Sequence, residues 1–404
     1  MLRVPLHKIQ PGMILARPIP VPNHPHRFLL QRGYEIPLDL VPRLNQLGIY
    51  EVWVRYHDLE FLEEIFDEEL GERQREVYTH VRRNFEQIMK GTTVEIDLLQ
   101  FQQSISGLFD YLRESPRGSV FLQKLDAFDN YLMSHSTNVC YLSLLLGMKL
   151  QRYLIQERTF KTPKDAMNLQ QLGLGCLLHD VGKMLIEPAI LNKPGKLTPD
   201  EMDQIKLHPT FGFEMVKRQV PSAAAQIVLN HHQRYNGEGY PARKATADGA
   251  ALPPLRGKQI PIFSRIATVA DVYDAATSAR CYSGAKLPVQ VLHEMRTWCQ
   301  GFFDPVVERA FYQTMPPFPI GQVVTLSNGE EAAVVDFNPR SPVRPKVQCL
   351  RDASGQRYAE ASLHEIDLAI HLDLQIAAVD GVDVRPYQAT QQDAAVEQDE
   401  LALV

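Results

Sequence analysis

The sequence predicts a mainly α protein, with an all-helical central domain between a small α+β N-terminal domain and a small C-terminal β unit. Apolar residues recur at helical spacing through 98–312. Short apolar runs broken by Pro and Gly fill 1–56, where one helical pattern covers 38–47. Two apolar runs flank a Ser-Asn-Gly turn at 327–329, which is a strong hairpin signal.

These patterns divide the chain into five predicted segments. They are an α+β domain at 1–56, a helical connector at 57–97, the helical domain at 98–312, a β-rich unit at 313–372 and an acidic tail at 373–404. We expect the tail to be unstructured because it is polar and rich in acidic residues. The charged connector is predicted either to form a dimer interface or to be a simple solvated helix.

Composition excludes several classes of protein. The 404 residues suffice for two or three domains, and the net charge of −6 lies mostly in the tail, so charge does not favour a DNA partner. The five cysteines include no Cys-x-x-Cys pair, which argues against a disulfide framework and for a reducing compartment. The N-terminus lacks a signal-peptide pattern, and no apolar run approaches the ~20 residues of a membrane span. The sequence therefore predicts a cytoplasmic protein without a membrane partner.

Seven histidines and aspartates in the helical domain form a predicted metal site. Imidazoles combined with carboxylates suit iron, manganese or zinc. Taken singly, each residue has a purely structural alternative, such as a core histidine, a helix end, a hydrogen-bonded pair or an ordinary helix carboxylate. Taken together, the set favours metal binding. Its members are His135, His179, Asp180, His208, His231, His232 and Asp271.

Asp180 and Lys183 indicate phosphate chemistry. One carboxylate can bridge two cations, as in binuclear sites that catalyse in-line displacement at phosphorus. Lys183 follows His179 by four residues, which places both on one face of a helix. A buried ammonium without a partner is costly, so an anionic ligand explains this lysine better than packing does. We predict Asp180 and Lys183 as the catalytic residues.

Two arginines and a tyrosine complete the predicted substrate site. Arg265 and Arg280 flank Asp271, and guanidinium groups match phosphate oxygens in bidentate geometry. Surface salt bridges remain the alternative for both. Tyr240, in the glycine-rich segment 237–241, is predicted to stack on a ligand or to contact a protein partner, and a simple turn is the alternative.

The ordered motifs resemble the HD-GYP family, a branch of the HD metal-dependent phosphohydrolase superfamily. The resemblance spans about 126–347 and implies an all-helical HD-type catalytic domain. The matching pieces are His179-Asp180-Val181-Gly182-Lys183, Lys206-Leu207-His208-Pro209, His231-His232, Gly239-Tyr240-Pro241, Ile260-Pro261, Arg265-Ile266, Ala270-Asp271-Val272-Tyr273-Asp274-Ala275 and Thr277-Ser278-Ala279-Arg280.

The resemblance also implies a function. Family members are bacterial cyclic di-GMP phosphodiesterases that hold two iron or manganese ions and release pGpG or, after further cleavage, GMP. We expect one ion to be held by Asp180 with His179, Asp271 and His135, and the other by Asp180 with the remaining histidines. A diguanylate cyclase or another signalling protein is an expected partner of the Gly239-Tyr240-Pro241 loop, and homodimerisation stays open.

The chain departs from the family pattern at several positions. Gln233 and Asn236 replace a Glu and an Asp, and Ser283 replaces a basic residue. We expect weaker orientation of the metal ligands, an effect that typically costs about 10- to 100-fold, and slower catalysis rather than none. Tyr131 replaces a Glu of members with three metals, which favours a binuclear site. The segment 242–259 is longer than the family loop and is predicted to be a lid, a partner surface or a neutral insertion.

Two other functions remain open at this stage. The first is a catalytically weak module that senses cyclic di-GMP or docks a protein, which the replacements at Gln233, Asn236 and Ser283 favour. The second is an HD phosphohydrolase that acts on a mixed cyclic dinucleotide or another nucleotide.

Overall fold

A computed structural model gives the fold in the ranges 1–21, 24–47, 49–65, 68–89, 96–114, 131–193, 195–243, 252–278, 286–359 and 362–388. Within these ranges the chain forms a helical body and a β-rich body, each around its own hydrophobic core. The mainly α fold class with a small C-terminal sheet is confirmed.

The helices follow one another with short connections. None of those in the described ranges is long and apolar enough to cross a membrane. Their bounds are α1 Val41–Gln46, α2 Phe61–Ile65, α3 Glu68–Met89, α4 Leu98–Glu114, α5 Tyr131–Lys149, α6 Gln151–Glu157, α7 Pro163–Ala166, α8 Gln170–Leu178, α9 Pro188–Leu191, α10 Pro199–Ile205, α11 His208–Val216, α12 Ser222–Asn230, α13 Ile262–Thr277, α14 Pro288–Trp298 and α15 Pro305–Tyr312.

The helical body is built around α8, which packs against α5 and α12, while α13 packs against α5. Most of the residues of α8 and α13 are buried, as expected for helices inside a domain. Helix α8 is apolar on nearly every side, whereas α13 also buries Arg265, Asp271 and Asp274. A 3₁₀ helix, Val181–Leu185, follows α8 and packs against α11. This packing brings the ends of several helices to one point.

The predicted connector is divided between the two bodies: Leu59 and Leu62 lie in the core of the β-rich body, and α3 belongs to the helical body. Helix α3 packs along α4 and α5, and it buries Val77, Tyr78, Val81 and Phe85 in the helical core. The many charged residues of α3 led to the prediction of a solvated helix. One apolar stripe along α3 is nevertheless enough to pack it against the helical core.

The β-rich body contains a six-stranded antiparallel sheet with the order β10-β9-β5-β6-β7-β8. The Asn-Gly turn joins β5 and β6, and Val323 pairs with Ala333 across the hairpin. The sheet strands are β5 Val323–Leu326, β6 Glu331–Asp336, β7 Lys346–Arg351, β8 Glu365–Asp367, β9 Ile376–Val379 and β10 Val382–Asp383.

The expectation of an unstructured tail from residue 373 is wrong for its first part. Strand β9 pairs with the central strand β5, and β10 pairs with β9. This pairing joins segments some fifty residues apart in the chain, so local composition does not reveal it. The rest of the predicted tail, 389–404, lies outside the described residues.

The N-terminal segment shares its core with the C-terminal sheet. Its strands are β1 Leu2–Pro5, β2 Ile19–Val21, β3 His24–Leu30 and β4 Glu51–Val54, paired as β1-β4 and β2-β3. The backbone N–H of Arg3 donates to the carbonyl of Gly321 at 3.0 Å. A side chain at Gly321 would overlap the Trp53 ring, so the glycine permits this close contact. The N-terminal domain and the C-terminal β unit, which the sequence predicts as separate, therefore form one body.

Candidate metal centre

The structure brings together all seven histidines and aspartates of the predicted metal site. They come from helix interiors, helix ends and the turns between them, and they form overlapping groups with ligand atoms within 4.8 Å of one another. His135 lies on α5 and Asp271 on α13, His179 and Asp180 follow α8, His208 begins α11, and His231 and His232 follow α12.

A glycine shapes the turn after α8. Helix α8 ends at Leu178, and the chain then enters the 3₁₀ helix, which packs against the start of α11. A Cβ at Gly182 would overlap the carbonyl oxygen of His208 and the amide nitrogen of Gly212. The missing side chain therefore lets the turn that carries Asp180 approach the helix that carries His208.

The two oxygens of Asp180 face two different groups of imidazoles. Oδ1 lies 3.2 Å from Nε2 of His208 and 3.8 Å from Nε2 of His231. Oδ2 lies 3.4 Å from Nε2 of His179 and 3.7 Å from Nε2 of His135. This is the arrangement that a carboxylate shared between two cations requires.

Asp271 also reaches both sides of the cluster. Its Oδ1 lies 3.0 Å from Nε2 of His135 and 3.9 Å from Nε2 of His179. Its Oδ2 lies 3.6 Å from Nδ1 of His232. The predicted division of ligands placed Asp271 with His135 and His179 only, whereas here it approaches His232 as well.

Three of the histidines are oriented in the same way. Each places its Nδ1 against a backbone carbonyl three residues earlier in the chain, which fixes Nδ1 as the donor and leaves Nε2 to face the cluster. The pairs are His179 with Cys176 at 2.7 Å, His208 with Ile205 at 2.7 Å and His231 with Val228 at 2.9 Å.

His135 is oriented by side chains that sequence reasoning did not assign to the site. Its Nδ1 contacts Asp274 Oδ2 at 2.8 Å, and Asn138 donates to Asp274 Oδ1 at 3.0 Å. Asp274 lies three residues after Asp271 on α13, and Asn138 lies three residues after His135 on α5. This spacing places each of them on the same helical face as a predicted ligand, but their contacts depend on the packing of α5 against α13.

Burial sets the protonation of the cluster. It lowers the pKa of His231 far below its usual value and that of His232 to about 3, so both imidazoles are neutral and have a lone pair to offer. Burial alone would raise the pKa of Asp180, but Lys183 and His179 outweigh it and hold this pKa well below the usual range. Burial alone would also lower the pKa of His135, but its contacts with Asp271 and Asp274 outweigh burial and raise this pKa to about 9. A cation held there would therefore displace a proton from His135.

The donor atoms fit divalent cations. His179 Nε2 and Asp180 Oδ1 are buried without a hydrogen-bond partner, although His208 Nε2 lies 3.2 Å from that oxygen. Nε2 of His208 and Nε2 of His231 are 3.2 Å apart, and both rings use Nδ1 as donor. With Nδ1 as the donor in each ring, both Nε2 atoms point at the same place, where a cation would bind them together. Buried polar groups without partners are otherwise costly.

Lys183 and Tyr240 border the cluster. Nζ of Lys183 lies 2.5 Å from Asp180 Oδ2, and its side chain is partly exposed. We expected Lys183 and His179 on one helical face, but Lys183 lies in the 3₁₀ helix and its ammonium meets Asp180 instead. The ring of Tyr240 stacks on His232 with centroids 4.6 Å apart, and burial raises the pKa of its phenol.

The predicted phosphate-binding arginines are not part of the described cluster. The buried guanidinium of Arg265 pairs with Glu157 at 2.5 Å and with Asp304, and it donates to the hydroxyl of Tyr153 at 3.0 Å. These contacts occupy the groups with which it would bind phosphate. Arg280 lies outside the described residues.

The two family departures within the described residues contact the loop after the His pair. Gln233 donates through Nε2 to the carbonyl of Pro241 at 2.8 Å, and Asn236 donates to Glu238 at 2.8 Å. We expected these positions to affect the orientation of the ligands, whereas these bonds hold the loop. Ser283 and part of the insert, 244–251, lie outside the described residues.

Comparison with known families assigns two parts of the chain. Residues 143–307 match the family model of an HD domain, and this range includes six of the seven cluster residues, with His135 just before it. Residues 323–383 match a KOW domain associated with HD domains, which corresponds to the sheet from β5 to β10.

Three characterised relatives show what the chain is similar to. A cyclic di-GMP phosphodiesterase of Pseudomonas aeruginosa, PA4108, is 34% identical over 235 residues, covering 58% of this chain and 51% of the relative. The cyclic di-GMP phosphodiesterase response regulator RpfG of Xanthomonas campestris is 46% identical over 131 residues, 32% of each chain. A 3'3'-cGAMP-specific phosphodiesterase of Vibrio cholerae is 36% identical over 131 residues, 32% of this chain and 23% of the relative.

The chain spans about half the length of the first relative and less of the other two. The residues that match the HD domain include six of the seven residues that form the cluster. Residues 143–307 therefore form an HD domain, and the motifs at 179–183 and 231–241 within it are those that resemble the HD-GYP branch.

Proposed function

We propose that this protein hydrolyses cyclic di-GMP to pGpG, with two divalent cations held by the seven-residue cluster. The observation that carries the proposal is the position of Asp180, whose two oxygens face separate groups of imidazoles. The names of two relatives, both cyclic di-GMP phosphodiesterases, support this substrate. The cysteine usage supports the cytoplasm as the compartment.

The residues that would hold the cations are His135, His179, Asp180, His208, His231, His232 and Asp271. When bound, divalent ions at such a site supply Lewis acidity toward a phosphoryl oxygen and activate water at neutral pH. Iron and manganese suit this combination of imidazole and carboxylate donors. The absence of a thiolate among the described cluster residues agrees with that preference.

The surrounding side chains would bind and orient the phosphodiester. Hydrolysis adds the oxygen of water to phosphorus, and the ribose oxygen that leaves takes up a proton. Lys183, at the edge of the cluster, would pair with the negative charge that builds on the phosphoryl oxygens. The face of Tyr240 would lie against a guanine, since its other side is fixed by His232.

The proposal is tested by turnover of cyclic di-GMP with added iron(II) or manganese(II) under reducing, anaerobic conditions. Formation of pGpG, or of GMP after a second cleavage, supports the proposal. Tight binding without product would show a sensor or docking module instead. Binding of a diguanylate cyclase to the Gly239-Tyr240-Pro241 loop, and homodimerisation of the chain, would then be the next interactions to measure.

A second candidate substrate is a mixed cyclic dinucleotide, which the similarity to a 3'3'-cGAMP-specific phosphodiesterase supports. Measurement of kcat/KM for cyclic di-GMP, 3'3'-cGAMP and a linear dinucleotide, with the same metal loading, separates the two. A clear preference for 3'3'-cGAMP would replace the first proposal while leaving the metal centre in place.

A further inference from the structure

A second group of metal-ligating side chains lies in the C-terminal sheet. Cys349 lies on β7, Glu330 lies in the turn before β6, and His364 lies just before β8. One ligand atom from each lies within 4.8 Å of the others. We propose that Glu330, Cys349 and His364 bind a divalent ion of the zinc class, at a site separate from the phosphodiesterase centre.

The spacing of the donors fits a tetrahedral ion. Zn–S and Zn–O bonds of about 2.3 and 2.0 Å at a tetrahedral angle separate sulfur and oxygen by about 3.5 Å. Sγ of Cys349 lies 3.7 Å from Oε2 of Glu330. The ion would therefore fit between these two atoms with little movement of either side chain.

The sheet fixes the positions of the three residues. Cys349 pairs with Ala332 in the β6-β7 ladder, which places Glu330 beside it at the end of β6. The backbone N–H of Cys349 donates to the carbonyl of His364 at 3.0 Å, so the third donor is attached to the same strand. A site built on adjacent strands holds its geometry better than one built on a free loop.

Neighbouring groups orient two of the donors. The hydroxyl of Tyr358 donates to Glu330 Oε1 at 2.5 Å, and Asn328 donates to Glu330 Oε2 at 2.9 Å. Nδ1 of His364 lies 3.2 Å from the carbonyl of Ser362 and donates to it, which leaves Nε2 with a lone pair. Metal sites commonly use such outer contacts to fix a carboxylate and the tautomer of an imidazole.

The donor types select the kind of ion. A thiolate with an imidazole and a carboxylate suits zinc, whereas magnesium and calcium require oxygen ligands. Cys349 is fully buried while His364 is exposed, so the site opens to solvent on the histidine side. Three protein ligands leave a fourth position for water, and we expect an ion that exchanges with solution.

The test is a cobalt(II) titration of the full chain, followed by absorption in the near ultraviolet. Cobalt replaces zinc in tetrahedral sites, and a thiolate ligand adds a charge-transfer band that histidine and carboxylate ligands do not produce. Because the phosphodiesterase cluster contains no cysteine among the described residues, cobalt bound there contributes no such band. The expected result is a thiolate band that saturates with cobalt and disappears when zinc is added.

Three variants complete the experiment. Cys349→Ser should abolish the band, whereas Cys299→Ser, at a half-buried cysteine in the helical body, should retain it. His364→Ala, at an exposed position that cannot disturb the core, should weaken zinc binding on the order of tenfold or more. A wild-type chain without a thiolate band, or a band that survives in Cys349→Ser, would overturn the proposal.

Discussion

Lys183 lies where its charge would act on both the proposed metal centre and a bound phosphodiester. Its Nζ lies 2.5 Å from Asp180 Oδ2, and it is one reason why the pKa of Asp180 stays low despite burial. The side chain is partly exposed, so a phosphate at the mouth of the cluster can reach the same ammonium. A positive charge beside the phosphoryl oxygens would stabilise the negative charge that builds on them in the transition state.

Lys183→Met should therefore lower kcat/KM for cyclic di-GMP by on the order of 100-fold, because removal of one such donor typically has that effect. The measurement is steady-state turnover at saturating manganese. Lys217→Met, at an exposed lysine paired with Glu214, is the matched control and should retain full activity. Unchanged kcat/KM in the Lys183 variant would remove this residue from the proposed mechanism.

Arg265 differs from Lys183 because its charge is already satisfied by the protein. Removal of one member of a buried ion pair costs about 3–5 kcal/mol, since the partners remain buried and charged. Arg265→Met should lower the free energy of unfolding by about that amount, because Glu157 and Asp304 lose the buried guanidinium that pairs with both. The KM of the molecules that remain folded should change little.

Urea unfolding and KM measured on the same preparation separate these effects. Lys258→Met, which removes the exposed partner of Glu157, serves as the control and should leave stability almost unchanged. A large rise in KM with normal stability in the Arg265 variant would restore the sequence-based prediction of a phosphate contact.

At the scale of elements, the turn after α8 depends on its contact with α11. Gly182→Ala would force the 3₁₀ helix away from His208 and Gly212, where backbone atoms cannot move independently. We expect a loss of about 1–3 kcal/mol of unfolding free energy, the typical cost of overpacking, together with weaker manganese binding.

Gly107→Ala is the control for Gly182→Ala. A Cβ at Gly107 in α4 would meet only the flexible end of Arg73 at 3.2 Å, and alanine favours a helix by up to about 1 kcal/mol over glycine. Thermal unfolding and manganese titration of both variants check the expectation. Normal metal affinity in Gly182→Ala would show that the turn does not position Asp180 and His208.

The sequence predicted correctly those features that depend on residues close together in the chain. The all-helical domain, the β5-β6 hairpin and the seven clustered residues were predicted from spacing and motifs, and the structure brings these residues together. Long-range pairing was not predictable in this way. Strand β9 lies in the segment that we assigned to the acidic tail, and it pairs with β5, some fifty residues earlier in the chain.

The site shows the same limit. The sequence placed Arg265 near Asp271, but it did not reveal that Glu157 and Asp304, distant in the chain, occupy its guanidinium. Asp274 appeared to be an ordinary helix carboxylate until its contact with His135 was visible. Which groups pair with a buried charged side chain depends on packing between helices. The spacing of residues along one helix does not show these partners.

At the scale of the whole molecule, the N-terminal strands and the C-terminal sheet form one core across the ends of the described chain. Leu15→Ala, at a fully buried position of this core, should cost about 2–5 kcal/mol. Because the core is shared, amide exchange should accelerate in β5 and β9 as well as in β1 and β4. Acceleration confined to the N-terminal strands would show two independent units.

The central claim is that the histidine–aspartate cluster holds the divalent ions that hydrolysis requires. The most direct measurement is elemental analysis of anaerobically purified protein alongside cyclic di-GMP turnover, for wild type, Asp180→Asn and the exposed control Asp203→Asn. We predict about two iron or manganese ions per chain, counted apart from zinc at the C-terminal site, and formation of pGpG in wild type and control. Asp180→Asn should lose both the iron or manganese and the turnover. Full turnover and unchanged metal content in Asp180→Asn would contradict the account.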